Sequence, residues 1–225
     1  MLDVITGIAL AGIPSRLEMW KQIIDRASAR QVLEIGVWKG EFAAHILTEC
    51  PSVIRYFMID PWRQLDAWNK PFNVDRSTFD AVYAEALSRT DFASDRREIL
   101  RGRTVDVIDA IPDGTLDVAY IDGDHTLRGI AIDMIRAYPK VRPGGILGGD
   151  DFTASIWQHS EDFEPTLIFP FVTYFAEAMG APLVILPHNQ FAIIKPIQSG
   201  NAFSISGLTE GYEDASLLAQ VRKRT

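Results

Sequence analysis

The sequence predicts one α/β domain over residues 1–225, with a doubly wound, Rossmann-like fold. We expect a seven-stranded, mostly parallel sheet with an antiparallel closing hairpin. Two patterns indicate this fold. Short apolar strands alternate with amphipathic helices, as in parallel sheets covered on both faces. Near the end of the chain, two apolar runs at 183–186 and 191–195 are joined by so few residues that they must pair antiparallel. At 225 residues and 47% hydrophobic composition, the chain can bury one full core.

Residues 1–30 are predicted to form an N-terminal helical segment. Ser15 is a suitable N-cap for a helix over 16–29. The apolar start of the chain stops at Pro14, short of the ~20 residues that a membrane span needs. Asp3 stands where a signal peptide would carry Lys or Arg. We therefore expect this segment to pack within the domain or to form a contact in a homo-oligomer.

Residues 31–195 are predicted to form a ligand-binding core. The first five strands are expected at 31–35, 55–60, 98–101, 116–122 and 146–149. The helices that follow them are expected at 41–49, 78–89, 104–110, 127–138 and 171–179. An aromatic and polar loop over 62–77 and an irregular stretch over 152–170, interpreted as an insertion or lid, interrupt this alternation. The tail over 196–225 is expected to be polar and loosely attached, with a terminal helix over 213–222.

Acidic residues gather where four of these five strands end. In doubly wound sheets, ligands bind beyond the carboxyl ends of the strands. Acids at that edge need a ligand, a cation or buried hydrogen-bond donors, because a buried charge without a partner is costly. The acids are Glu34, Asp60, Asp122, Asp150 and Asp151, whereas the third strand ends in Gly102-Arg103-Thr104.

Charge and cysteine content restrict the classes of partner and compartment. The net charge is −8 and the pI is near 5.0, which disfavours nucleic acid and anionic membranes as partners. The one cysteine, Cys50, cannot form an intrachain disulfide, so a reducing cytoplasm is the simplest location.

A glycine turn joins the first strand to its helix. Gly36 and Gly40 would let the backbone pass close to a ligand, and the helix start offers free N–H groups. Taken alone, the turn also suits a strand–helix connection without a ligand. A nicotinamide-dependent oxidoreductase would require Gly-x-Gly-x-x-Gly, and Trp38 would crowd a pyrophosphate here.

In their order and spacing, these motifs resemble the class I S-adenosylmethionine-dependent methyltransferases. The matching features are E-I-G-x-x-x-G at 34–40, the acid Asp60, Gly-x-Thr at 102–104, D-x-x-x-I-D at 117–122 and R-P-G-G at 142–145. Y-I-D-G-D-H-T with G-G-D-D-F is similar to a small bacterial group that includes macrocin-type sugar O-methyltransferases, and to metal-dependent catechol-type enzymes. The resemblance covers 31–195.

The resemblance implies S-adenosylmethionine as the cofactor. The implied contacts are Glu34, Gly36, Gly40, Asp60, Trp62, Gly102, Arg103, Thr104 and Asp122. Some of these residues have structural alternatives. Asp60 suits two ribose hydroxyls but could instead cap a helix, Trp62 could cover the adenine or fill the core, and Thr104 could also act as a helix cap.

The resemblance to catechol-type enzymes also implies a metal site at Asp122, Asp150 and Asp151. Three carboxylates would suit Mg²⁺ or another hard divalent cation. Alternatively, one acid is protonated or paired with Arg or Lys, or the two later acids only cap a turn. Asp124 is a weaker candidate ligand.

The catalytic candidates are His125 and Asp122. His125 could accept a proton from a substrate hydroxyl, or could instead hydrogen-bond to a turn. His159 is a second candidate base. The expected activity is O-methylation of a small polar molecule, such as a sugar or a phenolic, with divalent-metal assistance. Metal-independent N- or C-methylation and a non-catalytic cofactor-binding protein remain as alternatives.

Overall fold

The computed structural model describes residues 1–66, 68–198 and 200–212. The α-helices are α1 (Leu2–Ala9), α2 (Arg16–Arg26), α3 (Glu41–Glu49), α4 (Arg76–Arg89), α5 (Thr104–Val107), α6 (Leu127–Ala137) and α7 (Ile168–Ala178). The strands are β1 (Gln31–Ile35), β2 (Arg55–Asp60), β3 (Arg97–Arg101), β4 (Leu116–Ile121), β5 (Val141–Gly149), β6 (Leu183–Leu186), β7 (Gln190–Ile194) and β8 (Ile205–Gly207). The helix predicted over 213–222 lies outside the described residues.

The strands form one sheet in the order β3-β2-β1-β4-β5-β7-β6-β8. β1 to β5 run parallel, and β7 pairs antiparallel with both β5 and β6. The predicted doubly wound fold with its closing hairpin is confirmed. The described sheet has eight strands rather than seven, because β8 pairs parallel with β6.

The tail is attached more firmly than its polar sequence suggests. β8 fills the outer edge of β6, where unpaired backbone groups would otherwise face solvent. The ring of Tyr212 packs 5.3 Å from that of Phe152, and its hydroxyl donates to the Phe152 carbonyl. The expectation of a loosely attached tail is therefore wrong for 205–212.

Helices cover both faces of the sheet. On one face, Trp20 of α2 and Phe42 of α3 both pack against Tyr120 of β4, with ring centroids 5.0 and 4.0 Å from it. On the other face, α6 and α7 contribute buried side chains such as Met134 and Val172. Both faces of the central strands are thus buried, which explains why their sequences are almost continuously apolar.

The N-terminal segment packs within the domain. α1 buries Ile5, Ile8 and Ala9, and Thr6 Oγ1 lies 3.1 Å from Ser206 Oγ at β8. α2 begins at Arg16, as predicted, and the Ser15 side chain accepts a hydrogen bond from the backbone of the first turn. Across the described ranges, no helix combines the length and apolar character of a membrane span.

Candidate active-site cleft

A cleft of about 980 Å³ opens at the carboxyl ends of the central parallel strands. Its volume is within the range of small-molecule binding sites. Most residues predicted from the sequence as site residues line it: Glu34, Gly36, Asp60, Gly102, Arg103, Thr104, Asp122, His125, Asp150 and Asp151. His159 lines it as well, whereas Gly40 and Trp62 are not among the lining residues.

The glycine turn after β1 is pressed against the end of β4. Gly36 has φ +87°, and a Cβ atom there would lie 2.1 Å from the carbonyl oxygen of Asp122. Gly40 has φ +75° and caps α3, but its missing side chain faces Ala86 of α4 at 3.2 Å. Gly36 therefore shapes the cleft, whereas Gly40 allows two helices to approach each other.

The carboxylate of Asp60 fastens the glycine turn to the end of β2. Its Oδ2 accepts hydrogen bonds from the backbone N–H groups of Val37 and Trp38, both at 3.0 Å, and Oδ1 accepts one from Trp62 at 2.7 Å. Burial raises the pKa of Asp60 to about 6, although the three N–H groups act in the opposite direction. Asp60 does not cap a helix. Three donors leave about one acceptor position open, so contact with ribose hydroxyls remains a prediction.

Trp62 and Trp38 differ in their placement relative to the cleft. Trp62 is 1% exposed, its ring packs against Tyr83, and its Nε1 donates to the carbonyl of Trp38 at 2.8 Å. The structure thus places Trp62 in the core, the alternative to its predicted contact with adenine. Trp38 lines the cleft instead, with its ring edge-on to Phe72 and Phe79.

Glu34 forms a buried acidic patch of the cleft wall. It accepts a hydrogen bond from the Tyr56 hydroxyl at 2.8 Å. Burial raises the pKa of Glu34 well above its ordinary value, and the hydrogen bond offsets this only in part. A cationic group beside it would favour the ionised form.

The turn after β3 contributes backbone and one exposed ion pair. The Gly102 N–H donates to the Asp60 carbonyl at 3.1 Å, which joins the ends of β2 and β3. Arg103 is the N-cap residue of α5, and its guanidinium pairs with Asp106 at 2.8 Å on the surface.

Thr104 is buried and is the first residue of α5 rather than its cap, so the predicted capping role is wrong. Its side chain acts to lower the pKa of Asp133 on α6. Asp133 is 5% exposed and lines the cleft, and burial is the main reason that its pKa rises to about 7. The predicted adenine side of the cleft thus contains a carboxyl group that favours its neutral form.

Asp122, His125 and Asp151 form a compact cluster. One ligand atom from each lies within 4.8 Å of the others, a geometry that could accommodate a metal ion. His125 Nδ1 contacts the Asp151 carboxylate, and Nε2 lies 3.5 Å from Asp122 Oδ1 without a hydrogen bond. Burial acts to lower the pKa of His125, but the two carboxylates outweigh it and raise the pKa to about 10. In this arrangement the ring holds its proton at neutral pH.

Asp150, which the sequence predicts as a metal ligand, is held by other residues in this structure, and its role toward a metal stays a prediction. Its Oδ2 contacts the Arg16 guanidinium, whose Nη1 also lies 3.1 Å from Asp122 Oδ2. Its Oδ1 accepts from the Gln190 side chain and, at 2.7 Å, from the backbone N–H of Asp151. Both carboxylate oxygens are therefore engaged, and the alternative of an acid paired with arginine is the one found.

A buried amide connects Asp150 to the core. Gln190 of β7 is fully buried, and its Oε1 accepts from Trp20 Nε1 at 2.9 Å and from the Tyr120 hydroxyl at 3.0 Å. This network links α2, β4 and β7 directly beneath Asp122, Asp150 and Asp151, which together form the acidic corner of the cleft.

The two irregular segments, 62–77 and 152–170, contact each other beside the cleft. Lys70 Nζ donates to the carbonyl of Glu164 at 2.7 Å and to Thr166 Oγ1 at 3.2 Å. The Asn69 backbone N–H donates to the Glu164 carboxylate at 3.0 Å, and the rings of Phe72 and His159 are in edge contact. The two segments thus form one continuous wall.

Sequence reasoning missed Arg16, Lys70 and Asp133. For two of them, the sequence contains a feature that could have indicated their role. Arg16 occupies the first turn of a helix, where a cation opposes the helix dipole and so calls for an acidic partner. Asp133 lies on the apolar face of α6, between Ile130 and Met134. We find no comparable signal for Lys70.

Comparisons with known proteins agree with this architecture. A family model described as a methyltransferase domain matches residues 33–152. A Staphylococcus aureus structure assigned as a caffeoyl-CoA O-methyltransferase superposes with a TM-score of 0.61 and 14% identity, covering 86% of this chain and 90% of that one. An O-methyltransferase from Bacillus cereus in complex with SAH superposes with a TM-score of 0.56 and 18% identity, covering 86% of this chain and 88% of that one. TomG of Streptomyces achromogenes is an O-methyltransferase involved in tomaymycin synthesis, and its structure is in complex with SAM. It superposes with a TM-score of 0.53 and 15% identity, covering 86% of this chain and 90% of that one. No curated protein sequence matches the chain.

Proposed function

The chain belongs to the methyltransferase-domain family, and we propose that it transfers a methyl group from S-adenosylmethionine to an oxygen atom of a small polar molecule. The observation that carries the proposal is the cleft itself. The backbone of Gly36 lies against the end of β4, and Asp60 fixes the same turn from β2. These contacts fix the glycine turn in the wall of the cleft, where a methyl donor would lie.

We assign the donor-binding roles by position in this cleft. Glu34 would attract the ammonium group of the methionine moiety, because a cation favours the ionised form of a buried carboxyl. The open acceptor position of Asp60 would receive a ribose hydroxyl, and the backbone from Gly102 to Thr104 would flank the adenine. Trp38, rather than Trp62, would form the aromatic wall.

Oxygen is the proposed acceptor because the cleft places acid–base groups at the ends of β4 and β5. Methyl transfer forms a C–O bond and breaks the C–S bond, the electron pair returns to sulfur, and the hydroxyl proton must leave. Alignment supplies most of the catalysis, since a sulfonium is already reactive. The groups placed to accept this proton are Asp122, His125 and Asp151.

The same three residues fit a divalent cation. Their ligand atoms are mutually within 4.8 Å, and His125 Nε2 is buried without a hydrogen-bond partner. A mixed set of one imidazole and two carboxylates suits a transition-metal cation such as Mn²⁺ better than Mg²⁺, which prefers oxygen ligands. When bound, a cation would supply positive charge that lowers the pKa of a substrate hydroxyl. We propose that the cation is held by Asp122, His125 and Asp151, while Asp150 stays paired with Arg16.

A metal-free form of the reaction is the second candidate. It is favoured by one observation, namely that Arg16 and His125 already provide positive charge beside the three carboxylates. In that form a neutral His125 would be the general base, and the reaction would require a pH high enough to deprotonate it. Elemental analysis of the purified protein, with activity before and after EDTA, separates the two forms.

Donor binding is tested by calorimetry with SAM and SAH on the wild-type protein, Asp60→Asn and Asp95→Asn. Asp95 is exposed, so its variant makes the same change of charge away from the cleft. We expect wild type and Asp95→Asn to bind both ligands, and Asp60→Asn to bind at least about tenfold more weakly, since a hydrogen bond to a charged group is worth ~1.5–3 kcal/mol. Absence of binding to the wild-type protein would refute the proposal.

The acceptor is tested with labelled methyl donor and a panel of sugars and phenolics, with product analysis by NMR. Methyl groups found only on nitrogen or carbon would overturn the assignment to oxygen. The cytoplasmic location and the homo-oligomer predicted from the sequence stay predictions, and size-exclusion chromatography with light scattering tests the second.

A further inference from the structure

Arg16 introduces a positive charge into the acidic corner from outside the part of the chain that the family model matches. It is the first residue of α2, whereas the matched region begins at residue 33. Its Nη1 contacts the Asp150 carboxylate and lies 3.1 Å from Asp122 Oδ2. Asp122 is thus shared between a guanidinium and the three-residue cluster proposed to hold a cation.

The helix that carries Arg16 is fixed in place on both sides. Ile13, just before it, receives a hydrogen bond to its carbonyl from the ring of His188 at 2.8 Å. Trp20, one turn later, donates to Gln190, whose amide in turn contacts Asp150. Arg16 therefore reaches the corner from a fixed backbone, although its side chain is still 38% exposed and can move within the cleft.

The charges of the corner can be arranged in two ways, and only one of them is neutral. With His125 protonated, Arg16 and His125 supply two positive charges against the three carboxylates of Asp122, Asp150 and Asp151, which leaves one negative charge. With a divalent cation and a neutral His125, the cation balances Asp122 and Asp151, and Arg16 balances Asp150. In the second arrangement the guanidinium and the cation share the carboxylate of Asp122, Arg16 through Oδ2 and the cluster through Oδ1. The repulsion between these two positive charges lowers the affinity of Asp122 for each of them.

We propose that Arg16 is a built-in competitor of the divalent cation and sets the affinity of the Asp122–His125–Asp151 cluster for it. This inference rests on the metal-assisted form of the proposed function. By linkage, a cation that displaces Arg16 from Asp122 also loosens the contact between α2 and the cleft. Arg16 is a positioning residue in this scheme, since it acts through Asp122 and Asp150.

The test is direct titration with Mn²⁺, followed by the EPR signal of the free ion, on four proteins. Arg16→Gln removes the competing charge, Arg16→Lys keeps it, and Arg26→Gln makes the same change of charge at the last residue of α2. Arg16→Gln should bind Mn²⁺ about tenfold more tightly than wild type. A unit charge beside a divalent ion has a larger effect at a partly buried site, but the exposure of Arg16 reduces it. Arg26→Gln and Arg16→Lys should remain within about threefold of wild type.

Each result decides the proposal. Equal or weaker Mn²⁺ binding by Arg16→Gln, or absence of binding to all four proteins, overturns it. If Arg16→Gln does not fold, tighter binding by Arg16→Lys than by wild type overturns it, and binding within threefold supports it. Calorimetry with SAH on the same samples tests the methyl-donor site separately from the competition between Arg16 and the cation. Failure of every protein to bind SAH refutes the proposed methyl-donor site, while tighter Mn²⁺ binding by Arg16→Gln still supports the competition.

Discussion

Replacing Asp133 by Asn should make the protein more stable, and increasingly so as the pH rises from 4 to 7. Asp133 is buried on α6 beside Thr104, and burial raises its pKa to about 7 from the ordinary value of 3.8. The neutral carboxyl is thus the form that the folded state favours. Between these two pH values the unfolded chain releases its proton while the folded protein retains it, so folding stability falls with rising pH.

The size of this effect follows from the two pKa values. Their separation, at ~1.36 kcal/mol per pH unit, gives about 4 kcal/mol that the wild-type protein loses between pH 4 and pH 7. Asn has nearly the same shape as Asp but carries no charge at any pH. The stability difference between Asp133→Asn and wild type should therefore grow by up to ~4 kcal/mol and level off above pH 7.

The assay is urea unfolding followed by tryptophan fluorescence, at pH values from 5 to 8.5, on wild type, Asp133→Asn and Asp95→Asn. The exposed Asp95 provides the matched control, and its variant should differ from wild type by less than ~0.5 kcal/mol at every pH. A stability difference for Asp133→Asn that stays constant from pH 5 to 8.5, or that favours wild type at high pH, would refute the reasoning.

Three further substitutions test other parts of the site. Gly36→Ala should destabilise the protein by more than ~3 kcal/mol in thermal unfolding, because its Cβ would lie 2.1 Å from a carbonyl oxygen. The control is Gly7→Ala, within α1 and with open space around it, which should stabilise the protein by ~0.5–1 kcal/mol. Similar effects of the two substitutions would contradict this reasoning. Lys70→Met should speed hydrogen exchange in residues 158–166 at least about tenfold by removing two hydrogen bonds from the wall beside the cleft, and unchanged exchange would show that Lys70 does not hold the segments together. Gln190→Leu should lower the free energy of unfolding measured in urea by ~3 kcal/mol, because it leaves the buried donors of Trp20 and Tyr120 without a partner and removes one of the hydrogen bonds to Asp150; a loss below ~1 kcal/mol would contradict that account.

The strands and the closing hairpin could be predicted because their signals are local. β1 and β2 have the boundaries that the sequence predicted, since each is a short apolar run ended by a glycine turn or a proline. The hairpin of β6 and β7 followed from the short connection between them. The eighth strand could not be predicted, because Ile205–Gly207 pairs only where β6 offers a free edge, and that edge is a property of the assembled sheet.

The candidate site could be predicted at the level of backbone position but not of side-chain partners. Asp122, Asp150 and Asp151 do meet at one edge of the sheet, as parallel strands require. Which of them is free depends on Arg16, which lies 134 residues from Asp150 in the chain. No periodic pattern encodes a contact over that separation. Likewise, Trp62 turned inward because its indole N–H reaches the carbonyl of Trp38.

The three residues of β8 also bear on the behaviour of the protein at high concentration. β6 is wholly apolar, and a bare edge of this kind is a template for strand addition between molecules, the first step of aggregation. β8 covers that edge with a strand of only three residues, which ends at Gly207 with a φ of +86°. The short tail thus protects the colloidal stability of the enzyme without contributing a residue to the cleft, and its removal by a protease would yield a domain prone to self-association.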